Sequence, residues 1–470
     1  MKLIETVNEA IGSLVWGPVM MAFITGAGLY LSWRTGFVQL RHFGYAMRNT
    51  LGKMFKKNAA GSGEVTPLQA VSTALAATVG TGNIAGVTAA IVLGGPGAVF
   101  WLWVTALIGM CTKYAEVVLA VKYRERNSSG DWVGGPMYYI VKGLGKSWRP
   151  LALAFSFFGA LAALGIGNAV QVGAITSSVS HVIRTFRADF SLSATVGWVV
   201  GLTVAAITAL TLLGGIKRLG AVAGALVPFM AVAFILATLM VCVMNFDRMG
   251  EAFAMIFEGA FRPEAAVGGG VGITLMTSAA WGVKRGIFSN EAGLGSAPIA
   301  HAASSERDPV KQGLYGIFEV FMDTIVLCTM TALALLTSGV VIPYGNGELA
   351  TTALNAASFA SVFGNRAGGL IIAVGITLFA LATILSWGLY GTRCCEFIFG
   401  SRSIKIYQIV FVLAVIAGAT MRLELVWAIS DTLNGLMAIP NLVAVLALSG
   451  VVARLTREHF SGKRRIQAPR

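Results

Sequence analysis

The chain has 470 residues, of which 56% are hydrophobic and only 12% are charged, and its formal net charge is +14. Soluble globular proteins carry roughly 25% charged residues, so this composition excludes an ordinary soluble domain and indicates a polytopic membrane protein. The positive charge does not predict nucleic-acid binding, because most Lys and Arg residues fall in loops that would lie on one side of a membrane.

Apolar runs long enough to cross a bilayer recur along the whole chain. We predict eleven transmembrane spans, at about residues 15–33, 66–94, 96–121, 150–181, 193–215, 219–244, 267–288, 312–338, 368–392, 403–420 and 425–453. With the N-terminus outside, the Lys and Arg residues concentrate in the cytoplasmic loops, as the positive-inside rule requires. The sequence therefore predicts an all-α, multi-pass protein of a bacterial-type inner membrane, with a cytoplasmic C-terminus.

The second and seventh spans differ from the others because they are rich in glycine. Gly80, Gly82 and Asn83 break the second span, and the glycines at 268–270 precede the seventh. The two lie five spans apart, an odd number, so they cross the membrane in opposite directions, as inverted repeats require. Close helix packing explains an isolated glycine well, but an Asn at mid-depth also needs polar partners.

This symmetry divides the chain into four parts. Residues 1–65 hold an extra N-terminal helix and a basic cytoplasmic loop, and residues 66–244 hold a first five-helix repeat. Residues 245–453 form a second, inverted five-helix repeat, and residues 454–470 are a basic cytoplasmic tail. The predicted fold is thus an inverted 5+5 repeat after one helix, with a central site where broken helices meet.

A break in a membrane helix frees backbone N–H and C=O groups, which are costly when unmatched in hydrocarbon. The carbonyls that end the first half-helix favour a small cation, and the N–H groups that begin the second favour a carboxylate. Gly80, Gly82 and Ala85 also fit a dinucleotide fingerprint, but no strand precedes them and no acidic residue lies near position 103. The break is therefore predicted to bind a cation and an anionic group.

Seven sequence blocks follow one another along nearly the whole chain. They are GTGN at 80–83, GGPGAVFWLW at 94–103, KYAE at 113–116, GGPMYY at 134–139, RGIFSNEAGLGSAP at 285–298, FEVFMDT at 318–324 and TILSW at 383–387. In this order they resemble the alanine or glycine:cation symporter family. The resemblance implies the inverted-repeat fold of the amino acid/cation symporters. It also implies sodium-coupled symport of a small neutral amino acid, alanine or glycine, by a protein that is not an enzyme and functions as a monomer.

The resemblance further implies where the ligands bind. The amino-acid pocket corresponds to Thr81, Gly82, Asn83, Gln171 and Trp387. The Na⁺ site corresponds to main-chain oxygens near Ala76 and Val79, facing the hydroxyl of Thr383. Gln171 could instead only bridge two helices, and Trp387 could serve packing or the membrane interface. Ligands from the seventh span are expected within residues 272–284.

Ionisable residues inside spans are expected to be functional. The gating or proton candidates are Arg285, Asn290, Glu291, Glu319 and Asp323. Glu319 and Asp323 lie four residues apart and so share a helix face, where they could form a proton site, an inner gate, or an ion pair with Lys284 or Arg285. We favour the gate or a structural role, because Glu319 lies near the cytoplasmic end of its span.

Two further polar groups are predicted inside the spans. Lys113 and Glu116 lie three residues apart and are expected to form a local pair. Asp431 and Asn434 are expected to form a polar face turned toward the bundle. The four histidines of the chain fall near predicted span ends or in loops, and no metalloprotease or Walker motif occurs, so the sequence favours no enzyme.

Three alternatives remain open at this stage. Protons could replace sodium, with Glu319 or Asp323 as the carrier. Glutamine or serine could be the substrate, since the pocket volume depends on side chains that the sequence does not place. A passive channel or a non-transporting sensor would share the same membrane topology, and accumulation against a gradient would distinguish either from a symporter.

Overall fold

The computed structural model describes residues 2–53, 64–186, 194–263, 273–345, 351–420 and 424–462. Within these ranges the protein is almost entirely helical, as predicted. A short antiparallel ribbon of β1 (Glu125–Arg126) and β2 (Trp132–Val133) lies in the loop between two helices.

Thirteen α-helices precede residue 262 in the described ranges. They are α1 (Lys2–Val15), α2 (Pro18–Arg34), α3 (Val38–Arg41), α4 (Phe43–Thr50), α5 (Pro67–Thr78), α6 (Ala85–Gly94), α7 (Ala98–Tyr123), α8 (Pro136–Tyr139), α9 (Arg149–Leu164), α10 (Val170–Phe186), α11 (Ala194–Leu212), α12 (Gly215–Met244) and α13 (Met249–Phe261). A π-helical turn at Gly165–Ala169 joins α9 to α10. Such wide turns often occur at functional sites.

Nine helices follow in the described part of the second half. They are α14 (Leu275–Asn290), α15 (Ala297–His301), α16 (Pro309–Val320), α17 (Thr329–Thr337), α18 (Thr351–Phe363), α19 (Asn365–Phe399), α20 (Ser403–Thr420), α21 (Glu424–Ala447) and α22 (Ser449–Phe460). A further π-helical turn, Phe321–Cys328, joins α16 to α17.

The helices account for a multi-pass membrane protein. In the described ranges, nine helical stretches are long and apolar enough to cross a bilayer, and the bent pair α5–α6 makes a tenth. The predicted first span, 15–33, belongs to a longer stretch, Leu3–Arg34. The predicted seventh span, 267–288, begins outside the described residues, and its described helix α14 has 16 residues.

The predicted break in the second span is present. Helix α5 begins at a capping box, in which Thr66 and Gln69 bond each other's main-chain N–H, and it ends at Thr78. A single 3₁₀ turn at Thr81–Asn83 follows. The helical stretch after the break, Thr81–Gly94, is bent by 59° relative to α5. Two glycines in four residues allow this departure from helical geometry, because they carry no Cβ to restrict the backbone.

A second helix is broken between α14 and α15. Glu291 adopts the left-handed conformation (φ 54°), and Gly293 (φ 93°) and Gly295 (φ 81°) follow before α15 begins. Glycine adopts positive φ at no steric cost, whereas glutamate does so rarely. The described break therefore lies at residues 291–296, and the glycines at 268–270 that marked this span in the sequence lie outside the described residues.

The two broken helices lie side by side. At one end, the Val65 N–H donates to the carbonyl of Ala303 (3.0 Å), and the Ser305 N–H donates to the carbonyl of Val65 (2.8 Å). At the breaks, the Asn83 amide donates to the Ser289 hydroxyl (3.1 Å). Hydrogen bonds therefore join the two broken helices both at their ends and at the breaks.

Helix α7 packs closely against α14, and Gly282 makes this contact possible. A Cβ at Gly282 would collide with the main-chain oxygen of Ala98 and lie 2.6 Å from the Cβ of Trp101. Gly26 in α2 is a matched contrast, because a Cβ there would meet nothing within 4 Å.

We expect Gly282→Ala to lower the free energy of unfolding by about 1–3 kcal/mol, since overpacking forces the two backbones apart. Gly26→Ala should leave stability unchanged or raise it slightly, because alanine favours helix over glycine by roughly 1 kcal/mol. Thermal unfolding of the two variants in detergent tests the difference. Equal melting temperatures would show that the α7–α14 contact is looser than described.

Candidate functional site

A small enclosed cavity lies at the break between α5 and α6. Four of the five predicted pocket residues line it, namely Thr81, Gly82, Gln171 and Trp387. Its water-accessible volume is about 20 Å³, which is room for roughly one water molecule. The site is therefore closed around its polar groups in this conformation, and a larger ligand requires its walls to move.

Gln171 connects the break to the π-helical turn. The Thr81 hydroxyl donates to Gln171 Oε1 (3.3 Å), and Gln171 Nε2 donates to the carbonyl of Ile166 (3.1 Å). The wide turn at Gly165–Ala169 leaves this carbonyl available, because π-helical geometry interrupts the regular hydrogen-bond ladder. Gln171 thus bridges two elements and also lines the cavity.

Asn83, the fifth predicted pocket residue, lies behind the cavity wall. Its Oδ1 accepts from the Gly80 N–H (3.0 Å), and its Nδ2 donates to Asp323 Oδ1 (2.7 Å) as well as to Ser289. The side chain therefore stabilises the shape of the break and ties it to the π-helical turn between α16 and α17. Asn83 contacts Asp323 rather than the cavity.

Oxygen atoms gather where α5 ends. The hydroxyl of Thr383 lies 3.1 Å from the carbonyl of Ala76, 3.5 Å from that of Ala77 and 3.0 Å from that of Phe379. The last carbonyls of a helix have no partner within it, so those of Ala76 and Ala77 are available to a ligand. Val79 is buried and follows α5 directly, but Thr383 is not bonded to its carbonyl among the described contacts.

Gly80 keeps Thr383 close to the break. A Cβ at Gly80 would lie 2.7 Å from the hydroxyl oxygen of Thr383 and 3.6 Å from Oε1 of Gln171. A side chain at this position would displace the Thr383 hydroxyl from the end of α5. The first glycine of the break is therefore required for a close approach between helices.

Trp387 lies in the protein interior rather than at the membrane interface. Its side chain is 2% exposed, and the absence of a Cβ at Gly167 leaves room for it. Its indole N–H donates to Oε1 of Glu291 (3.1 Å), and the Ser296 hydroxyl donates to Oε2. Glu291, which follows α14, also lines the cavity.

One interpretation of the sequence allowed an ion pair between these acidic residues and Lys284 or Arg285. In the structure, Glu319 and Asp323 have other partners. The Lys113 ammonium lies 3.3 Å from Glu319, and His301 Nε2 lies 3.0 Å from the other oxygen of the same carboxylate. All three side chains are fully buried. The paired charges come from α7, α16 and α15, and no sequence pattern indicates that these helices meet.

Asp323 lies in the π-helical turn and has hydroxyl and amide partners. It accepts from Asn83, from the Ser289 hydroxyl (2.8 Å) and from the Thr324 hydroxyl (2.7 Å). These three neutral donors stabilise a buried carboxylate, because each satisfies one of its lone pairs.

The predicted local pair of Lys113 and Glu116 was wrong, since Lys113 pairs with Glu319 instead. One oxygen of Glu116 accepts from the amide of Asn441 (2.5 Å) and from the Gly293 N–H (3.1 Å). Glu116 therefore satisfies a main-chain group that the second break frees. Asn290 does the same through its own side chain, which accepts from the Ala292 N–H (3.0 Å).

Lys284 and Arg285 both interact with Asp431. The Lys284 ammonium is 3.6 Å from the Asp431 carboxylate, and the Arg285 guanidinium stacks 5.4 Å from the ring centre of Trp281. The Trp16 indole donates to the main-chain oxygen of Asp431 (2.9 Å). The Lys284–Asp431 ion pair joins α14 to α21, and Trp16 bonds the same residue of α21.

Three residues that line the cavity were not predicted as pocket residues. They are Ile166, Phe288 and Asn434. Asn434 was expected only as part of a polar face, and the expected range 272–284 for the seventh span ended one turn before Phe288. The available signal for Phe288 was the block at 285–298 that carries the family resemblance. His301 was placed near a span end, yet it is buried between Glu319 and Gln312.

Comparison with known proteins gives three findings. The model of the sodium:alanine symporter family matches residues 1–470. The sodium/alanine symporter AgcS of Methanococcus maripaludis is 46% identical over 458 residues, which are 97% of this chain and 96% of that protein. An uncharacterized transporter of Haemophilus influenzae is 44% identical over 458 residues, with the same two coverages.

A solved structure shows the same fold. MhsT in complex with L-phenylalanine superposes with a TM-score of 0.56 at 13% identity, over 84% of this chain and 99% of that one. At this identity the likeness concerns the fold alone, and it agrees with a helical membrane protein built around broken helices.

We expect Lys113→Met to lower the free energy of unfolding by about 3–5 kcal/mol, because it leaves the buried Glu319 carboxylate without its cation. The double variant Lys113→Met, Glu319→Gln should recover most of this loss, since neither charge then remains. Thermal unfolding in detergent measures the coupling between the two sites. Additive losses in the double variant would show that the two groups do not interact.

Proposed function

Because this chain belongs to the sodium:alanine symporter family, we propose that it carries a small neutral amino acid, alanine or glycine, into the cell together with Na⁺. The observation that carries the proposal is the juxtaposition at one helix break. Thr81 and Gln171 line a polar cavity there, and Thr383 meets the freed carbonyl of Ala76 at its edge.

The amino-acid carboxylate binds the N-terminal side of the break. The N–H groups between Gly80 and Ala85 begin α6, and the N-terminus of a helix attracts an anion. Thr81 and Gln171 add polar side chains on the same wall. Trp387 closes the other wall and limits the pocket to a small side chain.

Na⁺ binds the C-terminal side of the break. The carbonyls of Ala76, Ala77 and Val79 and the hydroxyl of Thr383 are hard oxygen ligands, which suit an alkali cation. A cation there also stabilises the end of α5, where the carbonyls carry partial negative charge. The ion thereby fixes the turn at Thr81–Asn83 that receives the substrate.

The ion supplies the driving force. A zwitterion is neutral overall and gains nothing from the membrane potential, whereas one co-bound Na⁺ adds about 2.3 kcal/mol per 100 mV. This corresponds to roughly 50-fold accumulation. The amino acid is therefore concentrated in the cell only when the cation binds with it.

Transport proceeds by alternating access in a bundle of eleven spans. An extra helix (1–65) precedes two inverted repeats (66–244 and 245–453), and a basic tail (454–470) follows them. The N-terminus lies outside the cell, and a single chain is sufficient for transport. The Lys284–Asp431 pair closes the outer side, and the network of Lys113, Glu319 and His301 closes the cytoplasmic side. Asn290 and Glu291 shape the inner wall between them.

One observation favours the alternative in which a proton replaces Na⁺ as the coupling ion. Asp323 is buried and bonds directly to Asn83 of the break, so proton binding at this carboxylate would act on the same turn. Glutamine or serine as the substrate remains a variant of the same function. A passive channel or a sensor is the alternative of another class, and it predicts no accumulation.

We expect purified protein in liposomes to accumulate labelled alanine under an inward Na⁺ gradient but not when K⁺ replaces Na⁺. Thr383→Ala should reduce Na⁺-dependent uptake at low Na⁺ at least tenfold, because the hydroxyl ligand is lost. Thr392→Ala is the matched control on the same helix, since its hydroxyl bonds only the carbonyl of Gly388 and should be dispensable. Sodium dependence left intact in Thr383→Ala would contradict the assigned ion site.

A pH gradient without Na⁺ should drive little uptake if Na⁺ is the coupling ion. Asp323→Asn should then retain Na⁺-driven uptake, although its rate falls because the hydrogen bond to Asn83 changes. Uptake driven by the pH gradient alone, and abolished in Asp323→Asn, would instead assign coupling to a proton at Asp323.

A further inference from the structure

One carboxylate in the cavity wall, that of Glu291, has no part in the proposed binding of the substrate carboxylate and Na⁺. Glu291 lines the cavity and is 4% exposed. Among the described residues, no Lys, Arg or His nitrogen lies within 4.0 Å of its oxygens. A buried carboxylate without a cationic partner is costly, so its surroundings favour a positively charged ligand.

Glu291 is held rigidly in this position. Trp387 donates to one of its oxygens and Ser296 to the other, so each oxygen keeps a further lone pair for a ligand. Its left-handed backbone conformation is unusual for a residue with a side chain. Such conformations persist where the surrounding structure imposes them, and they cluster at binding sites.

Among the described residues, the buried lysine near Glu291 attracts its carboxylate but pairs directly with another one. Glu291 directly follows the C-terminus of α14, where main-chain carbonyls carry partial negative charge. Among its buried neighbours, Lys113 pairs with Glu319, and His301 bonds the same carboxylate. Glu116 has amide and main-chain donors. The described carboxylates thus outnumber the one buried lysine.

We propose that Glu291 binds the α-ammonium group of the transported amino acid. The inference rests on the proposed function, and it adds the residue that selects a zwitterion. The helix break binds the carboxylate, and Glu291 binds the ammonium from the facing broken helix. A substrate must then carry both charges, so a hydroxy acid of the same size is rejected.

Trp387 has a defined part in this arrangement. Its indole N–H orients the Glu291 carboxylate toward the cavity, and its ring forms the adjacent wall. Trp387 is a positioning residue for Glu291, and loss of its N–H alone should weaken ammonium binding less than loss of the Glu291 charge.

The test compares L-alanine with L-lactate, in which a hydroxyl replaces the ammonium group. In the wild-type protein in liposomes, excess unlabelled alanine should inhibit labelled alanine uptake, and L-lactate at the same concentration should not. Equal inhibition by both compounds would overturn the proposal without any variant. Absence of Na⁺-dependent alanine uptake in the wild type would refute the proposed function itself.

Glu291→Gln preserves the shape of the side chain and removes its charge. We expect the KM for alanine to rise about 10- to 100-fold, as for the loss of a hydrogen bond to a charged group. L-lactate should then inhibit at concentrations that leave the wild type unaffected. Trp387→Phe should raise the KM for alanine less, without relieving the rejection of lactate.

The matched control is Glu396→Gln, which removes another buried carboxylate that pairs with Arg393 away from the cavity. It should leave the ratio of alanine to lactate inhibition at the wild-type value. If Glu291→Gln does not fold, Na⁺ will no longer stabilise the protein against heat. The comparison of alanine with lactate in the wild type then tests the proposal by itself. A wild-type KM and ratio in a folded Glu291→Gln protein would overturn the proposal.

Discussion

The structure depends on one constraint, which is that backbone N–H and C=O groups inside a membrane must find partners within the protein. Interrupting α5–α6 violates this rule locally, and the neighbouring helices compensate. Asn83 bonds the Gly80 N–H, and the Thr383 hydroxyl meets the carbonyl of Ala76. The second break does likewise, since Glu116 accepts from the Gly293 N–H. The two breaks face each other and enclose a polar site that an unbroken helix could not provide.

Charged side chains form two groups near this site. Lys284 pairs with Asp431 and joins α14 to α21, and Glu319 bonds both Lys113 and His301 and so joins α16 to α7 and α15. Ion pairs suit the joining of helices, because they form only between specific side chains and water can hydrate both partners when the helices separate. Hydrophobic contacts of equal area would hold the same helices together, but they would not specify which side chains pair.

The sequence revealed the features that depend on local chemistry. Glycine at 80 and 82 predicts the first break, and the apolar runs predict most of the spans. Of the pocket residues given by family resemblance, Thr81 and Gln171 meet at the cavity although they are 90 residues apart. The pairing of Lys113 with Glu319 was not predictable, because it depends on how α7 packs against α16. The π-helical turns were not predictable either, since no residue type requires a wide turn. Glu291 was recognised as polar, but its position beside Trp387 follows from a backbone conformation that glutamate seldom adopts.

The central claim is that one helix break couples the ion to the amino acid. Linkage requires that each ligand raise the affinity for the other by the same factor. The direct measurement is the affinity for alanine of the purified protein across a range of Na⁺ concentrations at constant ionic strength, paired with the affinity for Na⁺ across a range of alanine. The account predicts that alanine affinity rises with Na⁺ by the factor by which alanine raises Na⁺ affinity. Alanine affinity that is independent of Na⁺ would contradict it.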